Sequence, residues 1–227
     1  MTSVFKWYNL SQAIGALIDN AVKMLAVIYL VTVLKRDLAA TLALTSALLV
    51  FPFLLFSNWA GALTDRFSKR TLVVAVKWAE LGLLLLGFPA LAADQAWPIL
   101  AVLFLLAAQS AFFGPVKRGI VPELVAPDDL ARANGQMTGA TYLAIILGLF
   151  LPSFAATALN LSCSAVLAAC AGFSLIGLLC AYRLPPTPAA NRLSSPSPWI
   201  VPDALRAMRS LTPRVWLKRA AFGSIAF

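Results

Sequence analysis

Asp19, Asn20 and Lys23 fall within five consecutive positions of a stretch that is otherwise strongly apolar. On a helix, Asp19 and Lys23 share one face with the acid first, the favourable order for an i,i+4 ion pair. The spacing therefore predicts that they neutralise each other. Charge inside an apolar segment is expensive and marks a site by default, so the three residues read as the lining of a polar cavity beneath a substrate head group. The plainer alternative is a self-contained pair that packs its helix against neighbours. Lys77 and Glu80 form a second pair, three apart. Lys77 lies about two turns from the end of its apolar block, close enough to snorkel outward. Glu80 is deeper, reads as a buried helix contact or a proton-sensitive group, and joins the candidate substrate contacts. Gln109, Gln136, Thr138 and Tyr142 read as interhelical hydrogen-bonding groups.

Composition decides which elements must position these residues. The 227-residue chain is 61% hydrophobic and 12% charged, with a mean hydropathy of +0.85, whereas a water-soluble domain carries roughly 25% charged residues. It is a membrane protein by this measure. It has no histidine, which excludes Ser/His/Asp catalysis. Cys163, Cys170 and Cys180 have the spacing of neither a redox pair nor a zinc site and read as ordinary buried thiols. No metal, cofactor or P-loop is indicated. Lys6 leads into an apolar run longer than a cleavable signal allows, so the first segment is expected to be retained.

Six apolar blocks approach the length of about 20 residues needed to cross a bilayer: Leu10–Leu34, Ala39–Leu63, Thr71–Ala93, Ala96–Gly114, Gln136–Ala158 and Ser162–Leu184. None alternates like a strand, so an all-α bundle follows. With the N-terminus inside, Lys6, Arg66, Lys69, Arg70, Lys117, Arg118, Arg132, Arg183, Arg192, Arg206, Arg209 and Arg214 face the cytoplasm, opposed by Lys35 and Arg36. Topology thus accounts for most of the net charge of +9 without nucleic acid. The outer turns at Asp94–Gln95 and Leu159–Leu161 are tight, and Pro115–Gly135 reads as a long, patterned cytoplasmic loop. Asp128 and Asp129 suit a helix start. The Gly135/Gly139 pair predicts a close helix crossing.

The six-span bundle is expected to occupy residues 1–184. Residues 185–214 read as a cytoplasmic linker, with a Pro/Ser/Arg-rich stretch over Pro185–Pro202 and an amphipathic helix over Asp203–Leu211 on the inner leaflet. Residues 215–227 read as the start of a seventh span that stops short. This arrangement is expected of the N-terminal half of a transporter with two similar halves, the C-terminal half missing.

Two loops carry motifs. Gly61-Ala62-Leu63-Thr64-Asp65-Arg66-Phe67-Ser68-Lys69-Arg70 resembles the signature of the major facilitator superfamily. In physical terms, Gly61 permits close helix approach, and Asp65 can face a helix N-terminus or a base. Arg66, Lys69 and Arg70 hold the loop in the cytosol. Together they read as a conformational latch, where plain anchoring explains the bases but not the Gly61/Asp65 spacing. Phe113-Gly114-Pro115-Val116-Lys117-Arg118-Gly119-Ile120-Val121-Pro122-Glu123-Leu124 and Leu130-Ala131-Arg132-Ala133-Asn134-Gly135 resemble the lysophospholipid transporter branch. Gly114, Pro115, Lys117, Gly119, Pro122, Glu123, Asn134 and Gly135 carry that likeness, with Asp19-Asn20, Lys23 and the Lys77/Glu80 pair.

The resemblance implies a carrier that moves lysophospholipids across the bacterial inner membrane to the cytoplasmic leaflet for re-acylation by a separate or fused acyltransferase. Such enzymes need an H-x4-D signature, which a chain without histidine lacks, so the expectation is a transporter and not an enzyme. Its expected partners are the lysolipid substrate and membrane lipids. Chemically, Asp19 would meet an ammonium, Lys23 a phosphate, and apolar helix faces the acyl chain. Two alternatives stay open: an exporter of small amphiphilic drugs, and a non-transporting membrane fragment or scaffold.

Overall fold

The computed structural model describes residues 3–186, and of residues 57–59 and 61–66 its backbone alone. The linker beyond residue 186, the amphipathic segment and the short apolar end lie outside the described residues. The helices are α1 (Ser3–Ile28), α2 (Leu38–Arg66), α3 (Lys69–Ala92), α4 (Ala96–Gly119), the single turn α5 (Val121–Leu124), α6 (Leu130–Thr157) and α7 (Cys163–Tyr182). Six are long and apolar enough to cross a membrane. No strand occurs among the described residues.

The expected loop over Pro115–Gly135 is largely helical, which corrects that reading. α4 continues through Gly114-Pro115 to Gly119, and α6 begins at Leu130. A glycine before proline has no Cβ to strike the pyrrolidine ring, so the usual bar to helix at that position is relaxed. Proline is tolerated where neighbouring helices hold the backbone, and Pro52, Pro89 and Pro152 likewise sit inside α2, α3 and α6. Asp128 and Asp129 belong to a 3-10 turn, Pro127–Asp129, that leads into α6.

At the end of the bundle opposite Ser3, each turn contains one left-handed residue: Lys35 (φ 53°), Asp94 (φ 51°) and Asn160 (φ 51°). Asp and Asn enter that region readily, whereas lysine is strained there. Lys35 follows a π-helical turn, Tyr29–Val33, that widens the end of α1. Two of the helices that leave these turns are capped by side chains: Asp37 Oδ1 accepts from Ala40 N at 2.8 Å before α2, and Ser162 Oγ from Ala165 N at 3.2 Å before α7.

α1 is the central helix, packed by α4, α6 and α7. Its neighbours run in consistent registers. Tyr8 meets Lys117 and Asp19 meets Ser110, so α4 is antiparallel to α1. Gln12 meets Met137 and Leu17 meets Gly148, so α6 is parallel to it. α3 pairs antiparallel with α7, Glu80 meeting Ser174 and Gly87 meeting Leu167. α2 rests on α4, with Phe56 and Phe112 rings stacked at 5.4 Å.

The close crossing is not where Gly135 and Gly139 predicted it. A Cβ on either would meet nothing within 4 Å, whereas one on Gly148 would lie 2.4 Å from the Leu17 carbonyl oxygen. The reason is helical phase. Gly139 precedes Gly148 by nine residues, two and a half turns at 3.6 per turn, and so looks away from α1.

Candidate functional site

Asp19 sits sixteen residues into α1, about 24 Å along a helix that rises 1.5 Å per residue, near the middle of the span. Its carboxylate faces α4, where Ser110 Oγ donates to Oδ2 at 2.6 Å. The other oxygen, Oδ1, is buried and has no hydrogen-bond partner among the described residues. Such a group is uncommon in folded proteins, since an unsatisfied buried acceptor forfeits its hydration without replacement.

The expected Asp19–Lys23 pair does not form. The short aspartate is committed to Ser110 across the helix interface. Lys23, one turn further on, is half-buried and has no ion-pair partner among the described residues. Asn20 turns its amide back onto its own helix, Nδ2 donating to Ala16 O at 2.8 Å, and packs against Gly148.

A base does stand near Asp19, from a segment the sequence assigned to a loop. Lys117 lies seven residues after Ser110 on α4, two turns along the same face, and its ammonium interacts electrostatically with the Asp19 carboxylate. Lys117 Nζ donates to Thr141 Oγ1 of α6 at 3.0 Å, and Thr141 donates in turn to the Met137 carbonyl at 2.7 Å, with Gln12 Oε1 of α1 at 3.1 Å. Gln12 Nε2 donates to Asn9 Oδ1 at 2.7 Å. The Tyr8 hydroxyl occupies the Lys117 carbonyl at 2.9 Å, one of the oxygens that the end of α4 leaves open. A polar strip thus joins α1, α4 and α6. Gln12, Ser110 and Thr141 were not singled out in the sequence. The available signal was a pair of equal spacings, Gln12 to Asp19 and Ser110 to Lys117.

Lys77 and Glu80 pair as their spacing suggested, but Lys77 does not snorkel. Its side chain is 1% exposed and Glu80's is 2%, with Nζ 2.8 Å from Oε2 and 3.1 Å from Oε1. Ser174 Oγ of α7 donates to Oε1 at 2.8 Å. Gly15 of α1 makes the space, since a Cβ there would lie 2.8 Å from Lys77 Nζ. Glu80 is therefore enclosed by α1, α3 and α7 with both oxygens engaged, and it presents nothing to a ligand in this state. Gln109 makes the interhelical bond expected of it, donating to the Val76 carbonyl at 3.0 Å, whereas Gln136, Thr138 and Tyr142 are exposed. The cysteines are free, Cys170 and Cys180 buried and Cys163 half-buried.

The two loop motifs meet. Lys69 at the start of α3 forms an ion pair with Glu123 of α5, 54 residues away. Pro122 lies in the first turn of α5; Asn134 and Gly135 are exposed on α6. Gly61, Asp65 and Arg66 lie in the last turns of α2, and their side chains are outside the described residues.

With the bundle and its buried charges in view, comparison with known families decides the kinship: the model of the Major Facilitator Superfamily matches residues 13–227. The chain belongs to the major facilitator superfamily. No curated protein matches it. As a member of that superfamily with six spanning helices, it is a multi-pass membrane protein of the secondary transporter class. What such a carrier requires of these helices is a polar place near mid-membrane facing a path for its cargo.

Proposed function

We propose that this bundle is the N-terminal part of a lysophospholipid carrier of the bacterial inner membrane, working by alternating access with its N-terminus in the cytoplasm. It delivers its cargo to the cytoplasmic leaflet, where a separate or fused acyltransferase re-acylates it. The observation that carries this reading is the buried, unpartnered Asp19 Oδ1 at the middle of the span. An ethanolamine ammonium or a glycerol hydroxyl supplies the donor that this oxygen lacks. Lys23, which has no ion-pair partner among the described residues, and Lys117, whose ammonium donates to the Thr141 hydroxyl, are the cations for the phosphate. The exposed apolar side chains of α2 and α6, among them Phe51, Leu54, Ile146 and Phe150, suit an acyl chain.

The test is uptake of labelled lysophosphatidylethanolamine by cells making the gene's complete product. Asp19→Asn is expected to cut uptake at least about tenfold, the weight of one charge-assisted hydrogen bond, at an unchanged level of protein in the membrane. Unchanged uptake rejects the assignment. The same lone oxygen also suits a lipophilic cation, so dye efflux is measured alongside. Efflux that depends on Asp19, with no lysolipid uptake, would favour a drug exporter.

A further inference from the structure

At the end of the bundle opposite Ser3, the turn between α1 and α2 and the turn between α3 and α4 flank an open groove of about 380 Å³. Leu34, Arg36, Asp94, Gln95, Ala96 and Trp97 line it. The apolar spans stop at Val33 and Ala92 and resume at Leu38 and Ala96, so the groove lies where hydrocarbon gives way to head groups. Trp97, the second residue of α4, stands 68% exposed there. Its Nε1 donates to Gln95 Oε1 at 2.7 Å, which ties the indole to the turn. An exposed tryptophan at the end of a span belongs at the boundary between head groups and chains.

The groove also holds two opposite charges that do not meet. Arg36 and Asp94 are both exposed, both line the groove, and neither has an ion-pair partner among the described residues. The Asp94 carboxylate interacts electrostatically with Tyr29, but that phenol already donates to the Leu91 carbonyl at 2.9 Å. The charged residues of the turns at this end are two bases, Lys35 and Arg36, and two acids, Asp37 and Asp94. Asp37 is occupied in capping α2. With the signs in balance, this end has no general attraction for anionic lipid. What fits an open cation and an open anion beside an interfacial indole is a head group carrying both signs, with a phosphate for Arg36 and a primary ammonium, whose N–H bonds a carboxylate accepts, for Asp94.

We propose that this groove binds the head group of one phosphatidylethanolamine molecule from the leaflet at the end opposite Ser3, its phosphate on Arg36, its ammonium on Asp94 and its glycerol region against Trp97. The site lies apart from Asp19 and concerns a resident bilayer lipid, whatever the cargo is.

Tryptophan quenching in the full chain tests this, in nanodiscs of phosphatidylcholine holding a small fraction of chain-brominated phosphatidylethanolamine or chain-brominated phosphatidylglycerol. The Trp97 signal is the difference between the natural chain and Trp97→Phe. Phosphatidylethanolamine is expected to quench it at a roughly fivefold lower fraction than phosphatidylglycerol, the weight of one interfacial charge. Asp94→Asn should bring the two lipids level, and asparagine keeps the left-handed turn at that position. Arg36→Gln should raise the fraction of phosphatidylethanolamine needed by about the same factor. Free phosphoethanolamine should not relieve the quenching. Equal quenching by the two lipids in the natural chain, an undiminished preference in Asp94→Asn, an unchanged requirement in Arg36→Gln, or relief by free phosphoethanolamine overturns the proposal.

Discussion

Lys77 and Glu80 are an ion pair held at 1% and 2% side-chain exposure inside three helices. Removing water from two charges costs several kcal/mol apiece, and the contacts of the pair with each other and with Ser174 offset it. The partners are therefore worth more together than apart. Lys77→Ala is expected to lower stability by about 3–5 kcal/mol, because it strands the carboxylate. The joint change Lys77→Met with Glu80→Leu should cost far less. Thermal melting in detergent checks both, and equal losses would show that the charges themselves, not their pairing, hold the helices. The pairing was legible in the sequence because three-residue spacing puts two side chains on one face. The enclosure was not, because it depends on Gly15 of α1 and Ser174 of α7, far along the chain. Asp19 shows the converse. Its spacing to Lys23 permitted a pair, and a hydroxyl on another helix took the carboxylate instead.

Between elements, the decisive contact is that of α1 with α6. Gly148 lets the α1 backbone approach so closely that a Cβ would sit 2.4 Å from a carbonyl oxygen, an atom that cannot swing aside. Gly148→Val is expected to destabilise by about 1–3 kcal/mol or more through overpacking, lowering the melting temperature. Gly139→Ala, with nothing within 4 Å, should leave it unchanged or slightly raised, since alanine is the better helix former. Gly15→Ala should fall between them, because the atom it meets is the mobile end of Lys77. A melting temperature lowered as far by Gly139→Ala as by Gly148→Val would contradict this helix phase. Helix number and approximate bounds could be read from hydropathy because a bilayer imposes length and apolarity on every span. Which glycine serves a crossing could not, since GxxxG spacing says nothing of which face meets a partner.

At the scale of the molecule, the Lys69–Glu123 pair ties the start of α3 to the turn before α6. If this tie belongs to one state of the transport cycle, Glu123→Lys should shift the balance of inward- and outward-open forms by about fivefold, from a partly exposed pair worth up to about 1 kcal/mol. Adding Lys69→Glu should restore it. Asp65→Ala is expected to shift the same balance. Cysteine accessibility from the two sides of the membrane measures both, and labelling identical to the parent would dismiss the latch. The sequence by itself determined that the chain lies in a membrane, as six helices, and which family it resembles, because these follow from composition, segment length and local motif. Only the tertiary structure decided which charges meet. It set Asp19 against Ser110, Lys77 beneath Gly15 and Lys69 against Glu123. Partner choice depends on the rotation and register of helices about one another, and a one-dimensional pattern leaves both free.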